Sequence, residues 1–186
     1  NADPAASAQS FYTRWARGYD LLARHAPGVR TLRARAVRAL APTRGDTVLD
    51  LGCGTGANLR YLREAVGPDG RVVGVDFAPG PVAVARRHAR EWDNVHVVRG
   101  DATRLPAPGR DGVGWVDAGR VDDGQVDDGG RSGCEVDAVL ASFVVGMLPH
   151  AAEAVRAWAD LVGTNGRLAL LDLAQSTRFP GRFLNP

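Results

Sequence analysis

An acidic residue and a series of glycines lie where an apolar run of the sequence ends. Residues 46–51 read Asp-Thr-Val-Leu-Asp-Leu, and Gly52, Gly54 and Gly56 follow at alternate positions. Glycines in a turn between a strand and a helix let a ligand approach the backbone closely. Asp76 ends the next apolar run, where an acidic side chain can accept hydrogen bonds from both ribose hydroxyls of a nucleoside. Together these features predict a nucleoside-binding site.

Asp50 bears on which nucleoside this site would bind. Gly52, Gly54 and Ala57 also fit the dinucleotide pattern G-x-G-x-x-G/A, so the glycines alone would allow a nicotinamide cofactor. A carboxylate two residues before the first glycine would, however, repel a pyrophosphate. It suits a cofactor that carries a cationic amino group and no phosphate, such as S-adenosylmethionine. We therefore favour S-adenosylmethionine, with a nicotinamide-dependent oxidoreductase as the alternative.

The elements around these residues alternate between strand and helix patterns. Five short apolar runs are typical of buried strands, at residues 46–51, 71–76, 94–99, 136–142 and 167–172. Helical spacing occurs at 57–66, from Pro79 or Pro81 to about Trp92, and at 150–162. Such alternation indicates βαβ units and a parallel sheet covered on both faces. We predict an α/β, Rossmann-like, doubly wound domain over residues 45–175, with strand order 3-2-1-4-5.

Two amphipathic helices are predicted before the first strand, between residues 5 and 41, with a break at Ala26-Pro27-Gly28. We expect residues 1–44 to form a helical lid. This segment contains eight arginines and two acidic residues. Because no basic motif interleaved with aromatic residues accompanies them, we interpret the arginines as solvated helix faces and expect no nucleic-acid partner.

Four blocks of the sequence, spread over roughly residues 8–175, resemble the class I S-adenosylmethionine-dependent methyltransferases. Residues 50–56 resemble the first motif of that family, 73–77 the second acidic motif, 98–106 the adenine block and 137–143 the fourth-strand motif. The resemblance implies a methyltransferase that uses S-adenosylmethionine and releases S-adenosylhomocysteine. It implies cofactor binding by Asp50, Gly52, Cys53, Gly54, Gly56, Asp76, Phe77, Asp101, Ala102 and Ser142.

The resemblance also implies a role for several of these residues. Asp76 would bind the ribose, and Phe77 would flank the adenine. Asp101 would accept a hydrogen bond from the exocyclic amine, and the Ala102 amide would reach a ring nitrogen. Ser142 would lie beside the methionine part and the transferable methyl group. We interpret Cys53 as a small packing residue whose backbone touches the cofactor, because no histidine partner for a nucleophile is evident.

Residues Phe11–Asp20 resemble the N-terminal helix of the ubiquinone and menaquinone C-methyltransferases, the methyltransferase type 11 group. This resemblance implies that Tyr19 lies near the cofactor, and it favours a small, apolar acceptor such as a quinone precursor. Lipid amine methyltransferases and small-molecule O-methyltransferases share the same N-terminal pattern, so the pattern alone does not fix the substrate. A general base is needed only if the acceptor carries a proton at the transition state. Tyr19, Asp20 and His150 are candidates for that base, and the sequence does not identify which residue is catalytic.

Several features of the chain depart from the family pattern. Residues 107–133 are rich in Asp and Gly, and we expect a flexible insertion rather than a calcium site. The chain ends soon after Asp172, so we expect the C-terminal antiparallel strands to be missing and 176–186 to form a tail. An uncovered fifth strand suggests a homodimer. A third hypothesis is a cofactor-binding remnant without catalysis.

Composition excludes other classes of protein. No apolar run approaches the roughly 18 residues of a transmembrane helix, although a quinone acceptor would bring the protein into peripheral contact with lipid. The two cysteines, Cys53 and Cys134, cannot form a disulfide framework or a four-cysteine zinc site. We therefore expect a cytoplasmic protein without a metal site.

Overall fold

A computed structural model of the chain describes residues 28–105, 136–162 and 164–172. These residues contain five strands, which are β1 Thr47–Leu51, β2 Arg71–Asp76, β3 Val95–Arg99, β4 Ala138–Ser142 and β5 Arg167–Leu171. They also contain four α-helices, which are α1 Val29–Leu40, α2 Leu59–Val66, α3 Pro79–Ala89 and α4 Ala151–Val162. A single 3-10 turn, Val145–Met147, connects β4 to α4.

The five strands form one sheet in the order β3-β2-β1-β4-β5, and every described pairing is parallel. The predicted fold class and strand order are therefore confirmed. β1 lies at the centre, with Asp50 opposite Gly74 of β2 on one side and Leu140 of β4 on the other. β2 and β3 lie on one side of β1, and β4 and β5 lie on the other, so the strand order reverses between β1 and β4. Sheets of this kind bind ligands at the carboxyl ends of the strands beside such a reversal.

Both faces of the sheet are covered, which explains why the strands are apolar throughout. Val48 and the other residues on its face pack against α1, α2 and α3. Leu49 and Leu51 point the other way and pack with α4, where Trp158 is almost completely buried. Strands that are buried on both faces read as continuous apolar runs rather than as alternating patterns.

Two helix ends differ from the predicted ones by two or more residues. α2 begins at Leu59 rather than Ala57, because the chain is still turning there: the Gly56 N–H donates to Cys53 O and the Leu59 N–H to Gly56 O. α3 ends at Ala89, short of Trp92. The Trp92 N–H donates to Ala89 O in a turn that leads into β3.

The described part of the predicted N-terminal helical segment is α1. Val37 and Leu40 are buried in the same core cluster as α2 and α3, and the helix packs against β4 and β5. Several predictions concern residues outside the described ranges. They are the first helix with Tyr19 and Asp20, the insertion 107–133, Cys134, the tail 176–186 and the absence of C-terminal antiparallel strands.

β5 forms one edge of the described sheet. Leu170 on this strand is 45% exposed. The homodimer suggested from the sequence stays a prediction.

Within the described residues, no helix combines the length and the apolar character needed to cross a membrane.

Candidate functional site

A cavity of about 710 Å³ opens at the carboxyl ends of β1, β2 and β4. Its wall contains most of the residues that the sequence predicted for cofactor binding. These are Gly52, Cys53, Gly54, Asp76, Phe77, Asp101, Ala102 and Ser142. His150 also lines the cavity, whereas Asp50 and Gly56 do not, and Tyr19 lies outside the described residues. The strand order therefore brings residues from all four motifs of the sequence to one site.

The turn after β1 requires glycine for two different reasons. Gly54 has a φ of +56°, and a side chain there would point into open space, so the backbone faces the cavity. Gly56 has a φ of +82°, but a Cβ atom there would lie 2.8 Å from Leu59 Cδ1 and 3.2 Å from Ala85 Cβ. Gly56 thus allows α2 and α3 to approach each other, while Gly54 exposes the backbone to a ligand.

Asp76 stabilises the same turn from the end of β2. Its Oδ2 accepts a hydrogen bond from the Gly54 N–H at 2.8 Å, and its Oδ1 accepts one from the Ala78 N–H at 2.9 Å. Burial raises the pKa of Asp76, and its hydrogen bonds with backbone N–H groups oppose that rise. Asp76 therefore connects two loops of the cavity and also contributes to its wall.

Asp50 lies beneath the cavity rather than in its wall. Its side chain is fully buried, and its Oδ1 accepts a hydrogen bond from Asn58 Nδ2 at 2.9 Å. Burial raises the pKa of Asp50 to about 7, although the hydrogen bond from Asn58 and the charge of Arg33 lower it. Among the described residues, Asp50 Oδ2 has no hydrogen-bond partner.

A polar network extends from Asp50 to the wall of the cavity. Asn58 Nδ2 also lies 3.3 Å from Ser142 Oγ, and Asn58 Oδ1 accepts a hydrogen bond from Arg33 Nη1 at 2.9 Å. Arg33 lines the cavity although it is only 6% exposed. Sequence reasoning missed Arg33 and Asn58. The sequence held one indication that Arg33 is buried, because Arg33 lies on the same helix face as Val37 and Leu40.

One end of the cavity is formed by the loops after β2 and β3. Phe77 is 52% exposed, so its ring is available to a ligand. Asp101 Oδ1 accepts hydrogen bonds from the N–H and the hydroxyl of Thr103, at 2.9 Å and 2.7 Å. The Ala102 carbonyl accepts a 2.7 Å hydrogen bond from the buried Trp158 indole. This hydrogen bond joins the β3 loop to α4.

The opposite end of the cavity is mainly apolar. It is formed after β4 by Phe143, Val144, Met147, Leu148 and Pro149. Phe143 has a φ of 59°, in the left-handed region that is unfavourable for a non-glycine residue. Its N–H donates to Leu171 O at 2.6 Å, and this contact with β5 stabilises the strained conformation.

Cys53 lines the cavity within the glycine turn, but its thiol is poorly suited to nucleophilic chemistry. Burial raises its pKa well above the ordinary value, and the charges of Asp50 and Asp76 add to that rise. The thiolate, which is the reactive form, is therefore disfavoured. This environment favours the interpretation of Cys53 as a packing residue.

The charges around the cavity select among ligands. Three carboxylates, those of Asp50, Asp76 and Asp101, lie in or beneath the wall of the cavity, and Asp50 beneath the glycine turn would disfavour a pyrophosphate at that turn. The same carboxylates suit hydroxyl and amine donors, and the apolar end suits a hydrophobic molecule. Among the described residues, no group of three or more His, Cys, Asp or Glu side chains is placed to hold a metal ion.

Comparison with known families supports a specific class for this domain. Residues 48–114 match a family model described as a methyltransferase domain. Aklanonic acid methyltransferase DauC of a Streptomyces species is 33% identical over 137 residues, which are 73% of this chain and 51% of that protein. The 2-phytyl-1,4-naphtoquinone methyltransferase of Thermosynechococcus vestitus is 45% identical over 71 residues, or 38% of this chain and 32% of that protein. The matched part of the chain thus spans about half or less of the length of these relatives.

Solved structures show the same fold. A S-adenosylmethionine-dependent methyltransferase of Aquifex aeolicus superposes with a TM-score of 0.61 at 19% identity, over 90% of this chain and 76% of that chain. A chain from the structure of the complex between the Haloferax volcanii Trm112 methyltransferase activator and a methyltransferase superposes with a TM-score of 0.63 at 24% identity, over 87% of this chain and 58% of that one. At these identities the likeness concerns the fold.

Proposed function

The chain carries a domain of the class I S-adenosylmethionine-dependent methyltransferases, and we propose that it methylates a small, apolar acceptor such as a quinone precursor. The observation that supports this proposal most directly is the cavity, which combines Asp76 and the open turn at Gly54 with an apolar end after β4. The family resemblance seen in the sequence is confirmed, and the nicotinamide alternative is not favoured.

The residues of the cavity fit the parts of S-adenosylmethionine. When bound, this cofactor supplies an electrophilic methyl group on a sulfonium centre, so the protein has to align the reactants and exclude water. Asp76 would bind the ribose, and Phe77, Asp101 and Ala102 would bind the adenine. Gly52 and Gly54 would allow close approach to the backbone, with Ser142 on the side of the methionine part.

An apolar acceptor is supported by the wall after β4 and by the relatives. Met147 is 53% exposed and, together with Leu148 and Phe143, gives this end of the cavity a hydrophobic surface. Two of the relatives are named for a naphthoquinone or a demethylmenaquinone. A reduced quinone carries an electron-rich ring carbon, which is a suitable nucleophile for methyl transfer.

A proton has to leave the acceptor carbon after methylation of such a ring. His150 and Glu153 are titratable side chains that line the cavity beside α4, so His150 keeps its place as a candidate base. Tyr19 stays a second candidate from the sequence. Cytoplasmic location and contact with lipid likewise stay predictions.

Thermal unfolding with added ligands tests the cofactor. We expect S-adenosylhomocysteine in large excess to raise the Tm by several degrees, because a ligand at 100 times its Kd adds about 2.7 kcal/mol. NAD at the same concentration should leave the Tm unchanged. A rise with NAD alone would contradict the proposal.

Methyl transfer from labelled S-adenosylmethionine tests the acceptor. A reduced 2-alkyl-1,4-naphthoquinone should gain the label, whereas glycine, a polar amine acceptor, should not. Transfer to glycine alone would contradict the apolar acceptor. Ligand binding without transfer to any acceptor would favour the hypothesis of a cofactor-binding remnant.

A further inference from the structure

We propose that Asp172, which directly follows β5, is a positioning residue for the methyl acceptor. It holds the Val145–Met147 turn so that the Met147 side chain lies in the wall of the cavity. The proposal rests on the proposed function, because it concerns the apolar end of the cavity where the acceptor would bind. The cofactor assignment uses neither Asp172 nor Met147.

Met147 presents an apolar side chain to the cavity. Among the large apolar side chains of the described residues, two are more than half exposed, Phe77 at 52% and Met147 at 53%, and both line the cavity. Phe77 follows β2 at the end proposed for the adenine, whereas Met147 lies in the loop after β4. A methionine side chain is unbranched and polarisable, so it can adapt its contacts to a flat apolar ring. Exposed apolar surface of this kind is typical of a binding wall.

The turn that carries Met147 has no side-chain cap from its own segment. The residue before the turn is Val144, whose apolar side chain cannot accept a hydrogen bond from the first N–H groups of the turn. The Met147 N–H donates to Val144 O at 3.0 Å. The Gly146 N–H instead donates to Asp172 Oδ2 at 2.7 Å, from a residue 26 positions away in the chain. Asp172 therefore supplies the cap that the local sequence lacks.

A second hydrogen bond from the end of β5 supports the same geometry. The Phe143 N–H donates to Leu171 O at 2.6 Å, and Phe143 has a φ of 59°. A strained backbone conformation of a non-glycine residue persists only where the surrounding contacts over-determine it, and such positions cluster at functional sites. Leu171 and Asp172 thus hold the loop after β4 at two points, Phe143 and Gly146.

The consequence of this contact concerns the acceptor. Methyl transfer requires the acceptor atom to be aligned with the sulfonium methyl group, and a misplacement of about 1 Å is costly. The hydrogen bond between Gly146 and Asp172 is exposed, so water can satisfy the N–H when the carboxylate is removed. We therefore expect a variant of Asp172 to fold, but with a less fixed turn and a weaker affinity for the acceptor.

Steady-state kinetics with a reduced 2-alkyl-1,4-naphthoquinone test the effect on the acceptor. In Asp172→Ala we expect the KM for the naphthoquinone to rise about fivefold, as for one lost hydrogen bond, with a Kd of S-adenosylhomocysteine that changes less than about twofold. Asparagine keeps an oxygen that can accept from the Gly146 N–H, so Asp172→Asn should restore most of the lost affinity. Asp160→Ala, at an exposed acidic residue of α4 outside the cavity wall, should change neither quantity.

Nuclear magnetic resonance tests the position of Met147 without an acceptor. Met147 is the only methionine of the sequence, so labelling with [methyl-13C]methionine gives it a methyl resonance that Met147→Leu identifies. In Asp172→Ala we expect this resonance to shift toward its position in the urea-unfolded chain. In Asp172→Asn and Asp160→Ala the resonance should stay where it lies in the unmodified protein.

The outcomes separate this proposal from the proposed function. If the unmodified protein does not bind S-adenosylhomocysteine, or transfers no methyl group to the naphthoquinone, the proposed function fails in its cofactor or its acceptor. The Met147 resonance then decides the present proposal: a shift in Asp172→Ala that is absent from Asp172→Asn supports it, and an unchanged resonance overturns it. An unchanged KM in Asp172→Ala would also overturn it. So would an equal loss of affinity for the naphthoquinone and S-adenosylhomocysteine, because Asp172 would then have only a general structural role.

Discussion

The carboxylate of Asp76 accepts a hydrogen bond from the backbone N–H of Gly54 at 2.8 Å. This contact joins the end of β2 to the glycine turn after β1, and the Cys53 N–H reinforces it by donating to Val75 O at 3.0 Å. The acidic residue therefore has two functions in the cavity. It holds the turn in the open conformation, and it presents its carboxylate to the ribose of the proposed cofactor.

Replacing Asp76 by asparagine should weaken cofactor binding much more than folding. The amide keeps the size of the side chain but loses the negative charge that two backbone N–H groups and a ribose would share. We expect a loss of about 2 kcal/mol in the binding free energy of S-adenosylhomocysteine, which is typical of a hydrogen bond to a charged group. Calorimetric titration measures it. Asp69→Asn, exposed in the turn before β2, serves as the control and should bind normally.

Replacing Trp158 by phenylalanine should disturb the adenine end of the cavity from a distance. The change preserves most of the buried apolar surface but removes the N–H that donates to the Ala102 carbonyl at 2.7 Å. We expect a loss of about 1 kcal/mol in the free energy of unfolding, since one buried hydrogen bond is lost. The Kd of S-adenosylhomocysteine should also rise several-fold, because the Ala102 backbone is less well positioned.

The same substitution at Trp92 provides the control for this experiment. Trp92 is half-buried between α3 and β3 and does not line the cavity. Its replacement by phenylalanine should lower stability without a change in ligand affinity. If both variants weakened binding in proportion to their loss of stability, Trp158 would have no specific positioning role.

The arrangement of Asp76, Gly54 and Asp101 could be predicted from the sequence because parallel strands bring their carboxyl ends to one edge of the sheet. Apolar runs and glycine turns indicated where the strands end and therefore where these residues lie. The position of Asp50 was harder to predict. A residue two positions before a glycine turn can point into the cavity or beneath it, and here its side chain lies beneath it, bound by Asn58.

Arg33 could not be assigned from sequence patterns because arginines on amphipathic helices are normally solvated. Its burial depends on tertiary contacts with Asn58 and Phe143, which lie 25 and 110 residues further along the chain. Gly56 shows the opposite case. The motif predicts a ligand contact for Gly56, which stays a prediction, and the space of its Cβ atom is occupied by Leu59 and Ala85, so the packing of two helices also requires glycine there.

Asp50 should make the stability of the folded domain depend on pH. Burial raises its pKa to about 7, whereas an aspartate in an unfolded chain has a pKa of about 3.9. Between these two values the folded state binds a proton that the unfolded state has released. The free energy of unfolding should therefore decrease as the pH rises from about 4 to about 7, by at most about 1.4 kcal/mol per pH unit from this group, and level off above that range.

The variant Asp50→Asn isolates this contribution. Asparagine does not titrate, and its side-chain oxygen can still accept the hydrogen bond from Asn58 Nδ2. The difference in free energy of unfolding between the two proteins, measured by urea denaturation at a series of pH values, should change across the window from about pH 4 to about pH 7. Asp76 also has a pKa raised by burial, but it is present in both proteins, so only its Coulombic interaction with Asp50 enters the difference. A difference that is constant over this range would show that Asp50 is already ionised at low pH, and that the charges of Arg33 and its surroundings outweigh its burial.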